Sequence, residues 1–374
     1  MNTLKQIFPA ALIIVVLFLC ACSNDSRSTS EDLDANSNLL NPGITGKLFV
    51  HENDYGSYLL DLASGIFTEI PNTDWENQND RFPSGVANFW AIPAKYDHQE
   101  FIIKVRNCKR VNDDVLSPSL TCIAIQNYKG EYVSQFELLY AVRGSVHLSR
   151  NREYLALFRN IGQSVSSDKW LEIYDREGNL ISDQKLDETS IDWLPNGRLV
   201  YIQNRSFIFT EPYSTTPDYQ LTLPEMISGS PGQISVSPDG TRVAFSMIHT
   251  SNFATTRATP YVMNSDGTNI KQLADVPGEE FPIINSPTWS PDSKWILLKE
   301  GGAQGQDLNT PGVLGHLYAI PSDLDKVVML SSIDDEKSPE AIRLKRYYKD
   351  TEPNEEKPNP TDRFPNWGLY WLPN

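Results

Sequence analysis

Apolar residues in this chain recur at every second position over short runs bounded by Pro, Asp, Asn and Gly, which is the pattern of strands joined by tight turns. In "SVSPDGTRVAFS" and the residues after it, Val243, Phe245 and Met247 alternate with Ala244 and Ser246. Pro238-Asp239-Gly240 between the two runs is a turn by composition: Pro fixes φ, Asp bonds back to the backbone, and Gly takes positive φ. Some fifty residues later "PTWSPDSKWILL" repeats the arrangement.

Each copy predicts four strands: a short strand, a turn, an alternating strand, a variable loop, then a hairpin. "ISVSPDGTRVAFSM" is followed by "PYVMNSDGTNIKQLA", and "PTWSPDSKWILLKE" by "HLYAIPSDLDKVVML". "SIDWLPNGRLVYIQN", "VHLSRNREYLALFR" and "ANFWAIPAKYDHQEFIIKV" begin three earlier copies. The turn positions Arg150, Pro195, Pro238 and Pro291 recur at about 43 to 53 residues, the length of a four-stranded antiparallel blade. The first copy, "GKLFVHE" with "YLLDLASGIFTEI", lacks a first strand, and the chain ends in an orphan one, "FPNWGLYWLPN". Trp367 is expected there in the place that Trp193 and Trp289 hold in their copies. The predicted fold is an all-β, six-bladed β-propeller over residues 44–374, closed by the C-terminal strand joining the N-terminal blade, which leaves no open sheet edge.

The motifs "WSPDS", "VSPDG", "WLPNG" and "YVMNSDG" resemble the repeats of the TolB-like six-bladed propellers of the bacterial periplasm (the WD40-like PD40 repeat). The likeness spans the predicted propeller, closely in two copies and loosely in four. It speaks to fold, since the motifs are turn and core chemistry. TolB carries a further α/β domain before its propeller and is soluble, so its partners do not transfer to this chain.

Before the repeats, Lys5 precedes the apolar run "IFPAALIIVVLFL", shorter than the roughly 20 residues of a membrane-spanning helix and suited to a secretory signal. Leu19-Cys20-Ala21-Cys22 resembles a bacterial lipobox. That resemblance implies a signal peptide over 1–21, cleavage before Cys22 and lipidation of Cys22; an ordinary signal with an incidental cysteine is the alternative. Ser23 follows Cys22, where an Asp would resemble an inner-membrane retention signal. The expected location is therefore the outer membrane, on its periplasmic side. Residues 22–43, rich in Ser, Asn and Asp, read as a tether.

Composition narrows the rest. The chain has 374 residues and a net charge of −16, so it repels phosphate backbones and nucleic acid is excluded as a partner. Of four cysteines, Cys108 and Cys122 remain after the signal and anchor. They lie across the open end of a predicted hairpin in an oxidising compartment, and a disulfide between them is expected, two free thiols being the alternative.

Function is expected on one rim. The turns after first and third strands are short, whereas the loops 71–85, 107–121, 159–168, 248–260, 300–315 and 332–363 are long and irregular, and binding favours loops on a rigid scaffold. Trp75, Phe82, Phe253, Tyr347 and Tyr348 lack strand positions and are the candidate contact aromatics; packing on the rim of the core is the alternative for each. Within 332–363, "SPEAIRLKRYY" reads as a short helix capped by Ser338, and the remainder as an exposed loop. No G-x-S-x-G, H-E-x-x-H, P-loop or dinucleotide fingerprint is present, and the five His show no ligand spacing. A metal site from His51, His249 and His316 requires loops to converge over the channel, and no metal or cofactor is expected. Two functions remain. One is a monomeric, non-enzymatic, lipid-anchored scaffold for a periplasmic or envelope protein, or a glycan. The other is a carbohydrate- or peptide-active enzyme with its site at the central channel.

Overall fold

The computed structural model describes residues 39–52, 56–68, 89–93, 100–106, 121–127, 131–140, 142, 146–161, 168–186, 190–250, 256–276, 284–300, 315–331, 337–347, 363–364 and 370–373. These belong to one compact unit, Leu39–Asn374. They form an all-β, propeller-like array of small antiparallel sheets, with no helix among the described residues.

Five sheets are four-stranded blades, four of them built from consecutive strands and blade I completed by the last strand of the chain. Blade I holds β1 (Lys47–Glu52), β2 (Gly56–Asp61) and β3 (Phe67–Thr68). Blade II holds β4 (Phe89–Pro93), β5 (Glu100–Arg106), β6 (Thr121–Asn127) and β7 (Tyr132–Leu138). Blade III runs through β8 (Val146–Leu148), β9 (Tyr154–Ile161), β10 (Asp168–Asp175) and β11 (Leu180–Leu186). Blade IV has β12 (Ile191–Trp193), β13 (Leu199–Gln203), β14 (Ser206–Thr210) and β15 (Tyr219–Thr222). Blade V has β16 (Ser230–Val236), β17 (Arg242–Thr250), β18 (Thr256–Asn264) and β19 (Lys271–Gln272).

The expected count of six four-stranded blades is corrected to five. After β20 (Ala274–Asp275), the strands β21 (Ile284–Trp289), β22 (Trp295–Glu300) and β23 (Gly315–Pro321) begin a C-terminal sheet as predicted. "DKVVML" does not supply the fourth strand. Its β24 (Val328–Met329) crosses to pair in parallel with β20. The reason is packing: Val328 and Leu330 are fully buried in a cluster with Leu273, Ala274 and Trp289, an environment that a solvent-facing outer strand does not offer. The vacated edge of β23 is taken by two short segments, β25 (Ile342–Arg343) and β26 (Arg363–Phe364), giving five strands.

The helix expected at 338–348 is also absent. Ala341 N donates to Ser338 O over 3.0 Å, one turn forms, and the chain then extends into β25. Ser338 Oγ caps no helix; it accepts the Met329 backbone N–H at 2.9 Å. The open backbone of β23 and burial of Ala341 and Leu344 outweigh local helix propensity. Within 337–347 the expected helix is thus replaced by a turn and the short edge strand β25.

The last strand, β27 (Tyr370–Leu372), pairs antiparallel with β1, with Leu48 opposite Trp371 and Phe49 opposite Tyr370. Trp371, and not Trp367, is the counterpart of Trp193: the tetrapeptide Trp-Leu-Pro-Asn occurs at both places. Trp371 is buried among Leu48, Leu60 and Leu344, and its Nε1 donates to Thr45 O at 2.9 Å. Gly46 permits this approach. Its φ is +101°, and a Cβ there would sit 2.5 Å from Trp371 Nε1. Trp193 and Trp289 follow the same logic, donating to His147 O and Ser235 O, each on the first strand of the preceding blade. A buried indole on each of these first strands both fills the seam between sheets and satisfies a backbone acceptor.

Candidate functional site: two faces of the sheets

The strand ends sort into two faces. The connections after first and third strands make the turn face, and those after second and fourth strands make the loop face.

On the turn face one hydrogen-bond scheme repeats. Ser237 Oγ donates to Asp239 Oδ1 at 2.5 Å and accepts the Arg242 N–H at 3.0 Å. Ser290 and Asp292 repeat this with Trp295 N, and Ser149 and Asn151 with Tyr154 N. The residue after the Asp or Asn takes positive φ: Arg152, Gly197, Gly240 and Ser293. Partial burial of Asp239 works against its charge, but bonds from Ser237 and Thr241 outweigh that and hold its carboxyl below the ordinary value.

Arginines tie these turns together. Arg150 leaves blade III and reaches blade V, donating to Val236 O, Ser237 O and Pro238 O at 2.5, 2.7 and 3.2 Å. It passes Asp192 of β12, 3.9 Å away and 2% exposed, whose Oδ2 accepts Val236 N–H at 2.6 Å. Arg176 pairs with Glu100 at 3.0 Å, joining blades III and II. Arg242 donates to Ser293 O and Ser322 O at 2.8 Å each and lies 4.7 Å over the Trp289 ring, joining blade V to the C-terminal sheet. On β27, Tyr370 is pushed up to about 12 by burial and secondarily by the charge of Asp192. A cavity of about 180 Å³ opens on this face between Arg242, Asn264, Lys271, Ser322 and Asp325. It is already spanned by bonds from Lys271 Nζ to Leu324 O and Asp325.

The loop face is built differently. The strands keep going where loops were expected: residues 159–161, 248–250 and 256–260 are strand. Toward this face the strands carry buried charges. Glu172 on β10 is 2% exposed; it accepts from the Tyr140 and Tyr174 hydroxyls and pairs with Arg159 Nε at 2.7 Å. The Arg159 guanidinium also lies 5.0 Å over the Tyr140 ring. Burial first, and then the bond to Glu172, raises the Tyr140 phenol, while Tyr174 is raised to about 12, mainly by burial. Both hydroxyls are therefore proton donors at neutral pH. At the end of β22, Glu300 lies opposite His316 of β23, so the two share one face, and the backbone of His316 pairs in turn with that of Arg363 on β26. The preceding residue, Lys299, points to the other face and is 3% exposed.

Of the residues singled out in the sequence, Cys22, Cys108, Trp75, Phe82, Phe253 and Tyr348 lie outside the described residues. Tyr347 is half-buried and tied to blade I, its N–H donating to Gly65 O at 2.8 Å. Cys122, opposite Val105 in the β5–β6 pairing, is disulfide-bonded. His51, His249 and His316 fall on β1, β17 and β23. Among the described residues no three His, Cys, Asp or Glu side chains gather at metal-binding distance, and no helix is long and apolar enough to cross a membrane. The loop-face charges Arg159, Glu172, Lys299 and Glu300 were missed, and His316 was considered only as a metal ligand. For Lys299 and Glu300 the sequence shows only that the apolar run "WILLKE" ends in two charges, which does not reveal their burial.

Large apolar side chains are exposed on both faces. Leu139 (68%) and Met226 (90%) lie in connections on the loop face, and Tyr213 and Val327 on the turn face. Apolar exposure does not distinguish the faces. Both carry internal polar bonds, and on the loop face Arg205 donates to the carbonyls of Pro224, Ile227 and Gly229 beside its own blade; the arginines that reach into a neighbouring sheet's turns, Arg150 and Arg242, lie on the turn face.

No protein-family profile and no curated protein matches the chain. Among solved structures, it is similar to TolB from Acinetobacter baumannii, at 13% identity and a TM-score of 0.40, over 74% of this chain and 61% of that one. It therefore spans about three fifths of that relative's length. An uncharacterized protein of Listeria monocytogenes matches over 80% of this chain and 86% of its own, at 10% identity and a TM-score of 0.44. An acylaminoacyl peptidase of Pyrococcus horikoshii matches over 70% of this chain and 39% of its own, at 12% identity and a TM-score of 0.42.

Proposed function

We propose that the protein is a non-enzymatic, TolB-like propeller scaffold, closed by the pairing of β27 with β1, that docks a protein or other envelope component through its loop face. In this reading Cys22 carries the lipid anchor and holds a monomer on the periplasmic side of the outer membrane, and Cys122 pairs with Cys108. The observation that carries the choice of face is the wiring of the turn face. There Arg150, Arg242, Asp192 and the Ser-x-Asp turns direct their polar atoms at backbone of neighbouring sheets, leaving few for a partner. A partner contact costs less where groups need not first be released from internal bonds.

The test is capture from envelope extracts by the intact protein and by two variants. Replacing 301–314 with a Gly-Ser linker should abolish capture of any partner. Lys294→Glu, an exposed turn-face change, should leave it intact. Equal capture by all three proteins would defeat the reading.

A further inference from the structure

Lys299 is the penultimate residue of β22. On its face, Leu297 precedes it by two residues and Leu317 lies directly opposite on β23. Both leucines belong to an apolar cluster with Leu48, Val50 and Leu60 of blade I. The amine Nζ is buried in this seam and makes no hydrogen bond or ion pair. Such a group is costly, because an ammonium taken out of water without a partner loses its solvation and regains nothing. Packing does not account for it, since Met or Leu would fill the seam without that cost. Burial alone pushes the amine down to about 7, so near neutral pH much of it carries a free lone pair. An ordinary lysine, near 10.4, is almost wholly protonated there.

We propose that Lys299 is a reactive amine site that captures a small, uncharged aldehyde or ketone as an imine. The Nζ lone pair attacks the carbonyl carbon and a proton passes from nitrogen to oxygen, giving a carbinolamine. Loss of that hydroxyl with the remaining nitrogen proton, as water, leaves the C=N bond. No oxidant or reductant is consumed. The leucine walls select an apolar carbonyl compound, and the lack of a neighbouring counter-ion keeps the amine uncharged and nucleophilic. The position near the end of β22 gives access by local fraying of that strand end. This inference goes beyond the scaffold reading and does not depend on a protein partner.

The probe is propionaldehyde, trapped on the folded protein with cyanoborohydride at pH 7.4 and mapped by peptide mass spectrometry. Lys299 should be alkylated at least about ten-fold faster than the exposed Lys294 and Lys326, because only about 0.1% of an ordinary lysine is neutral at that pH. The preference should fade below pH 7 and vanish in guanidinium. In Lys299→Met the fast adduct should disappear while slow labelling of the other lysines continues. Alkylation that follows exposure, with Lys299 no faster than Lys294, would overturn the proposal. The map on the unaltered protein decides this even if the variant fails to fold.

Discussion

The turn face and the loop face both bury charge, and two of these charges, Asp192 on the first and Lys299 on the second, act to opposite effect. On the turn face, Asp192 receives an N–H of the next blade, and Arg150 spends its guanidinium on three carbonyls. Such groups replace lost water by fixed partners, and removing one leaves an orphan. On the loop face, Lys299 has no partner at all, so removing it abolishes a cost. The lesson is that the sign of a buried charge's contribution depends on what surrounds it. A group kept at a cost invites a functional explanation.

The widest expected effect is therefore a stabilisation. In the unfolded chain Lys299 holds its proton up to about pH 10.5, and in the folded protein only up to about 7. Between these values unfolding takes up a proton, so stability rises with pH across this window, and the penalty is complete below 7. Lys299→Met should raise stability at pH 7 by an amount on the order of 4 kcal/mol at most, and flatten the rise between pH 7 and 10.5. Urea melts at several pH values would show both. A destabilised variant would mean that Lys299 has a partner.

Asp192→Ala should act in the opposite direction, by roughly 2–3 kcal/mol, since Val236 N loses its acceptor and Arg150 its nearby carboxylate. A change within 0.5 kcal/mol would remove the contrast between the faces. Smaller still, Ser237→Ala should cost about 1 kcal/mol, through loss of the bonds to Asp239 and from Arg242 N. The smallest effect belongs to Asp239→Asn. Blade III places Asn151 in this role with the same serine bond, so the change should stay within about 0.5 kcal/mol at neutral pH. The lowered carboxyl of Asp239 contributes stability that is present above its unfolded value and lost as pH falls through the folded one. The Asn variant should accordingly lose less stability in acid.

Much of the repeat could be read directly. Ser-Pro-Asp turns announce themselves because each residue there has a local job, and Ser237, Ser290 and Asp239 do what their types suggest. The C-terminal sheet could not be read this way. "DKVVML" alternates equally well whichever sheet it joins, and only the shape of the seam around Leu273 and Trp289 sends Val328 and Leu330 across. "SPEAIRLKRYY" has fair helix propensity and no local hint that an unpaired strand edge awaits it. Trp371 was legible in the repeated Trp-Leu-Pro-Asn, yet Trp367 was the residue placed. On the loop face, Lys299 and Glu300 are in sequence only the charged end of an apolar run. Their burial is set by neighbours distant in sequence, which a periodicity carries no trace of.

The difference between the faces can be read most directly by photo-crosslinking in cells. A photoreactive side chain would be placed singly at Leu139 and Met226 on the loop face, and at Tyr213 and Val327 on the turn face, all four exposed. The account predicts discrete high-mass adducts from the first pair only. Adducts from Tyr213 or Val327, with Leu139 and Met226 silent, would contradict it.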